Sequence, residues 1–320
     1  MAVLGSAAMA WPVVGDAQPA GKVARIGLLG FGTALAWAPR VEALRAGFRD
    51  LGYVEGRNLA IEFRWAETVK QLSELAAELV RMNVDVIFAN SSTEVEIARR
   101  ATATIPIVFA AHADPVGLGH VATLSRPGGN ITGLSAVLTD LVAKDMEILK
   151  EALPQATRIG VLYSLAAPSH APALQAIAAA GQRLGVQVTA APLQTVADIE
   201  SAFATMKREL VGGFLVPATT FTLSHRALLA ELALKHRLPG LFGARENVEA
   251  GGLMSYAPDH RDLTRRATLY IDKILKGAKP ADLPIEQASK YQLVINLKAA
   301  HAIGVDIPES LLVRADEVIE

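Results

Sequence analysis

The chain contains no cysteine. That excludes disulfides, thiolate metal sites, a cysteine nucleophile and a lipid anchor carried on cysteine. An excess of charge of one sign is missing too. The formal net charge is −1 over 320 residues, which gives no support for nucleic-acid binding, since that draws on a basic face. No Gly-x-x-x-x-Gly-Lys-Ser/Thr loop, Gly-x-Ser-x-Gly elbow or His-Glu-x-x-His pair occurs, and the seven histidines are scattered. Gly30-Phe31-Gly32-Thr33-Ala34-Leu35 begins like a dinucleotide fingerprint but has Leu35 where the third glycine belongs. The expectation is therefore a protein that is not an enzyme and carries no cofactor and no metal.

What is present is apolar and regular. Half of the residues are hydrophobic and a fifth are charged, as in a packed globular protein long enough for two domains. Met1 to Gly15 is a run of small apolar residues, followed by Gly15-Asp16-Ala17 and Gln18-Pro19-Ala20. This has the form of the apolar region and cleavage site of an export signal, without its positive start. Residues 1–20 are expected to be the remnant of such a leader, with the true start upstream. The run is too short to cross a membrane and is interrupted by Pro12.

From Ala24 onward short apolar runs alternate with amphipathic stretches. Arg25 to Leu29, Leu59 to Trp65, Val84 to Ala89 and Ile105 to Ala110 read as strands. Pro39 to Leu51, Val69 to Met82 and Glu94 to Thr102 read as helices. The order restarts after Pro154 with Arg158 to Tyr163 as its first strand. Strands of this kind between helices predict a parallel sheet covered on both faces. The halves also match in letters. Ala24-Arg-Ile-Gly-Leu-Leu-Gly resembles Thr157-Arg-Ile-Gly-Val-Leu-Tyr, and Ile105-Pro-Ile-Val-Phe-Ala-Ala resembles Leu238-Pro-Gly-Leu-Phe-Gly-Ala, each pair displaced by 133 positions. Two copies of one doubly wound α/β lobe are expected. Lobe one would hold residues 22–135 with about 257–284, and lobe two 136–256 with about 285–320. Hinge strands are expected near Thr132 to Ser135, Leu253 to Ala257 and Leu283 to Gln287.

Ligands of open parallel sheets bind beyond the carboxyl ends of the strands. In the first half that rule selects Thr33 with nearby Trp37, then Ser91, Ser92 and Thr93, then His112 and Asp114. In the second half it selects Tyr163 and Ser164, then Thr219, then Phe242 and Gly243. Ser91-Ser92-Thr93 precedes a helix whose free N–H groups suit a carboxylate. Plain capping is the alternative. Asp114 suits an ammonium group or a turn. Trp37, Tyr163, Phe221 and Tyr256 are candidate stacking surfaces.

The same loops lie among a set of longer motifs. These are Leu51-Gly-Tyr-Val-Glu-Gly-Arg-Asn, Phe63-Arg-Trp-Ala-Glu, Ala113-Asp-Pro-Val-Gly-Leu-Gly, Arg126-Pro-Gly-Gly-Asn-Ile-Thr-Gly and Ala250-Gly-Gly-Leu-Met-Ser-Tyr. Ile274-Leu-Lys-Gly-Ala-Lys-Pro-Ala-Asp-Leu-Pro and Val294-Ile-Asn-Leu-Lys-Ala-Ala follow. Through them essentially the whole chain resembles the ABC transporter substrate-binding proteins whose best-described relatives take up tryptophan and other aromatic amino acids. The resemblance implies a type I periplasmic-binding-protein fold of two lobes joined by hinge strands. It implies an exported, monomeric protein that closes on a small organic solute, an amino acid or small carboxylate, and passes it to an inner-membrane ABC permease. By the same resemblance Ser91, Ser92, Thr93, Asp114, Tyr163, Ser164, Thr219 and the Phe242-Gly243 region correspond to the ligand loops, and His112 stands where many relatives have a small residue. Other readings are an enzyme on the same fold and the ligand-sensing half of a regulator, which needs a DNA-binding helix-turn-helix that is not seen here.

Overall fold

Parallel strands with both faces covered must be apolar throughout. Five parallel strands, apolar except on the edge strand with Glu62 and Arg64, start a first sheet in the computed structural model, which describes residues 23–320. The leader expected over residues 1–20 lies outside the described residues. Strands β1 (Ala24–Phe31), β2 (Leu59–Ala66), β3 (Val86–Ala89), β4 (Ile107–His112) and β5 (Ile131–Ser135) are parallel, in the spatial order β5-β4-β3-β1-β2. Helices α1 (Ala34–Asp50), α2 (Val69–Arg81) and α3 (Ser92–Ala101) alternate with the first four strands. In α2 the Thr68 side chain caps the Gln71 N–H, the Gln71 side chain reaches back, and Leu72, Ala76 and Leu79 are buried along one face. Helix α1 starts five residues before the Pro39 expected to open it, because Thr33 Oγ1 accepts the Ala36 N–H at 3.3 Å and Pro39 is carried inside the helix.

After α4 (Leu138–Ala152), which is not among the helices expected above, the design repeats. Strands β6 (Arg158–Ser164), β7 (Gln187–Leu193), β8 (Gly213–Val216), β9 (Gly240–Phe242) and β10 (Met254–Pro258) lie in the order β10-β9-β8-β6-β7. This is the order of the first sheet. The matched letter strings fall on β1 with β6 and on β4 with β9. Helices α5 (His170–Arg183), α6 (Val196–Arg208), α7 (Thr220–Ser224), α8 (Arg226–His236) and α9 (Arg245–Glu249) fill the connections.

The remaining chain stitches the lobes together. Helix α10 (His260–Leu275) follows β10 and packs on α1 and β4 of the first lobe. Strand β11 (Glu286–Gln287) then pairs with β5 on the edge of the first sheet. Residues 285–287 had been expected in lobe two, but the backbone groups of β5 are free for pairing only on that edge, and β11 takes it. Strand β12 (Tyr291–Asn296) returns to the second sheet antiparallel to β10, and β13 (Glu317–Ile319) pairs with β12. Helices α11 (Leu297–Ile303) and α12 (Glu309–Leu312) lie between those two strands in sequence. The chain thus passes between lobes after β5, after β10 and after β11. One apolar cluster runs without a break from Leu79 and Phe109 in lobe one to Phe203 and Phe214 in lobe two. The lobes are in contact rather than spread apart. No described helix is long and apolar enough to cross a membrane.

Candidate ligand-binding cleft

In each sheet the strand order reverses between its first and third strands, so the flanking connections leave on opposite faces and open a crevice at the carboxyl ends. The two crevices face each other. Their outer part is a chamber of about 460 Å³, a size typical of small-molecule sites. Phe31, Val69 and Thr93 from lobe one and Ser164, Leu165, Thr195, Thr219 and Phe221 from lobe two are among the residues that line it. Deeper in the seam is a polar chamber of about 30 Å³ whose walls include Arg40, Asn90, Ser91, Thr219, Thr220, Asn247 and His260. Behind it a third of about 40 Å³ is bounded by Ala111, Asp145, Ala218, Gly243 and His260.

Several polar contacts bridge the lobes, among them the two that follow. The Thr93 hydroxyl donates to the Ala166 carbonyl at 3.4 Å. Arg40 Nε on α1 donates to Glu246 Oε1 on α9 at 3.2 Å, and each side chain is only 5% exposed. Burial is the largest single influence on Glu246 and raises its pKa, but the Arg40 guanidinium, His260 and the hydrogen bonds to the carboxylate together outweigh it and hold the value at about 2. Burial, then repulsion from Arg40, brings His260 down to about 4. At neutral pH the imidazole is therefore uncharged, and the ion pair is that of Arg40 with Glu246.

Two more carboxyl groups lie in this region. Glu94, in the first turn of α3, is fully buried, and burial raises its pKa although the Ser91 hydroxyl donates to it. Asp145 on α4 is buried with its Oδ1 unpartnered, and burial pushes its pKa well up. A raised carboxyl is protonated in both folded and unfolded chains below the unfolded pKa of about 3.9, so it carries no cost there. Above that pH the unfolded chain ionises first, and the cost grows until the folded pKa is reached. Asp145→Asn is therefore expected to stabilise the protein by on the order of 1 kcal/mol at pH 8, with the gain vanishing towards pH 4. Urea unfolding across that range checks this. A gain that is constant with pH rules the explanation out.

The candidates chosen from sequence are distributed unevenly. Thr93, Ser164 and Thr219 line the outer chamber, Ser91 the inner and Gly243 the rear. Thr33 caps α1 and borders a separate surface groove with Trp65 and Gln71. Trp37 is not on a loop: it lies within α1, buried, with its indole N–H on the Phe31 carbonyl at 2.8 Å. Phe242 packs edge-on against Phe214 in the core. Tyr163 lies beside His170, and Tyr256 stacks on Tyr291. Asp114 turns its Oδ1 to the Gly117 N–H at 2.8 Å, which is the turn-forming role.

Ser92 and His112 belong to a buried polar chain rather than to a chamber wall. The Asp114 N–H donates to His112 Nδ1 at 3.1 Å, so that nitrogen is an acceptor and also receives the Ser92 hydroxyl at 3.2 Å. His112 Nε2 then donates to His120 Nδ1 at 2.6 Å, and His120 Nε2 donates to Glu96 Oε2 at 2.8 Å. Burial lowers both histidine pKa values, in agreement with neutral rings. The chain fixes the loop after β4 behind the cleft. Arg40, Glu94, Asp145, Glu246, Asn247 and His260 were not found from sequence. Glu94 alone had a local signal, an acid three residues after a serine that caps a helix.

Comparison with known proteins places this geometry. A family model described as ABC transporter substrate binding protein matches residues 36–319. A tyrosine-binding protein of Clostridioides difficile is 25% identical over 287 residues, covering 87% of this chain and 82% of its own. The crystal structure of an ABC domain of Streptococcus pneumoniae in complex with L-Trp has a TM-score of 0.84 at 28% identity, covering 92% of this chain and 99% of its own. A conserved domain protein of Vibrio cholerae has a TM-score of 0.85 at 28% identity, covering 93% of this chain and all of its own.

Proposed function

Because the chain belongs to the ABC transporter substrate binding protein family, we propose that it captures an aromatic amino acid between its lobes, outside the inner membrane, and presents it to an ABC permease. It works as a monomer and performs no chemistry on the solute. The observation that carries this reading is the outer chamber. Phe31 and Phe221, one from each lobe, supply ring surface there, while Thr93, Ser164 and Thr219 supply hydroxyls. A ring with one polar end matches such walls. The tyrosine-binding and L-Trp-bound relatives support the same solute class. Contacts made by both walls favour the closed arrangement, and a permease that recognises only that arrangement takes up loaded protein.

A binding-only protein is stabilised by its ligand by about 2.7 kcal/mol at one hundred times Kd. L-tryptophan, L-tyrosine or L-phenylalanine at that excess is expected to raise the melting temperature by about 5 °C. Sugars and dicarboxylates serve as controls. If all three amino acids leave the transition where it was, an aromatic amino acid is the wrong solute.

A further inference from the structure

We propose that the inner chamber receives a hydroxyl carried on the solute's ring, so that among aromatic amino acids this protein selects tyrosine over phenylalanine. The inference rests on capture of an aromatic solute in the cleft and adds the atom that sorts one ring from another. Asn90 follows β3 in lobe one, and Asn247 lies on α9 in lobe two. Both border the inner chamber, and they are only 2% and 3% exposed. Among the described residues, Asn90 Oδ1 and Asn247 Nδ2 have no hydrogen-bond partner. The backbone fixes both residues in place. The Asn90 carbonyl accepts the Ala111 N–H at 2.9 Å, and the Asn247 carbonyl accepts the Gly252 N–H at 2.9 Å. The chamber therefore has one free acceptor and one free donor, supplied by opposite lobes.

Buried polar groups are costly when left unpaired, so these walls call for a guest that both donates and accepts. Size limits the guest first. About 30 Å³ has room for a group the size of a water molecule. The head of an amino acid, with ammonium and carboxylate on one carbon, is larger. Charge limits it next. Of the residues that border the chamber, Arg40 alone is charged, and Glu246 already pairs with it at 3.2 Å. A charged guest would enter without a counter-ion of its own. Position supplies the route. Thr219 and Thr220 wall both this chamber and the outer one, where Phe31 and Phe221 offer ring surface. A phenol hydroxyl donates to one carboxamide oxygen and accepts from the other carboxamide's NH₂, and it does so equally well if either carboxamide turns over. Phenylalanine has neither function. Because the two partners belong to different lobes, the same pair of bonds favours closure.

The test is titration calorimetry with pairs of probes that differ only by the hydroxyl: L-tyrosine with L-phenylalanine, and tyramine with phenethylamine. A site built to hydrogen-bond a hydroxyl rejects the analogue that lacks it, but a water can stand in here, so the expected preference for L-tyrosine is about 100-fold rather than the largest ratios known. Asn90→Ala and Asn247→Ala each remove one of the two bonds and should lower that ratio to about tenfold. The comparison in the unaltered protein needs no variant, so it stands even if a variant folds poorly, which its melting curve reports. Equal binding of L-tyrosine and L-phenylalanine overturns the proposal and leaves aromatic capture standing. Variants that weaken both amino acids by the same factor also overturn it, because the chamber then holds a part common to both. If neither amino acid binds but tyramine binds about 100-fold more tightly than phenethylamine, the hydroxyl site stands and the amino-acid solute falls. If no probe that bears the hydroxyl binds, the site falls.

Discussion

Arg40→Ala is expected to weaken solute capture by about 100-fold while each lobe remains folded. Arg40 and Glu246 come from different lobes and are both shielded from water where the lobes meet. Removing one partner of a buried pair leaves the other charge uncompensated, at a cost of about 3–5 kcal/mol. Separation of the lobes gives Glu246 back to water, so that cost falls on the closed arrangement and hardly at all on the open one. The ligand-free variant should be more extended in small-angle scattering, and its Kd should rise by the stated factor. Arg40→Met combined with Glu246→Leu removes both charges, and replacement of a whole buried pair by apolar residues is often neutral. The double variant should recover to within about tenfold of the original. Equal Kd values for Arg40→Ala and the unaltered protein, or a double variant no better than the single, would disprove the latch. The pH dependence has a definite sign. The pKa of Glu246 is depressed to about 2, so its contribution is fully present above the ordinary glutamate value and is lost as pH falls from about 4 towards 2.

The largest loss of stability is expected from Gly133→Ala. Gly133 has φ +147, and a Cβ there would lie 2.0 Å from the Phe109 carbonyl oxygen and 2.7 Å from its nitrogen. Both are backbone atoms of the neighbouring strand, so no side chain can swing aside. Phe109 and Gly133 are register partners of β4 and β5, and the register shifts just beyond them, before His112 meets Ser135. The close approach is part of how the sheet bends at the first passage between lobes. An alanine must push β5 away from β4 and also adopt a backbone conformation disfavoured for L side chains, at a combined cost of at least about 4 kcal/mol. Urea unfolding of the purified variant measures this. A change smaller than 1 kcal/mol would mean that the strands separate more freely than their geometry allows.

The lobes could be read from the chain because buried parallel strands write themselves as unbroken apolar runs. Val86–Ala89 and Gly213–Val216 are buried at every position. The hydroxyls at strand ends, Ser91 and Thr93 after β3, Ser164 on β6 and Thr219 after β8, follow from the rule that ligands meet strand ends, and all four line the chambers. Trp37 misled because Pro39 reads as a helix start, whereas Thr33 caps the helix earlier and turns the indole inward. Arg40 and Glu246 were out of reach for a different reason. They are 206 positions apart, and only the docking of one lobe on the other brings them together. Asp145 reads as an ordinary polar residue of an amphipathic helix until the second lobe covers it.

The return of α10 and β11 to the first lobe also governs how the molecule is made. The edge of the first sheet is completed by Glu286–Gln287 and one of its faces by His260–Leu275. A ribosome releases these segments only near the end of synthesis. The amino-terminal half must therefore wait, unfinished, while the other half emerges. Contacts joined over such long stretches of chain form slowly.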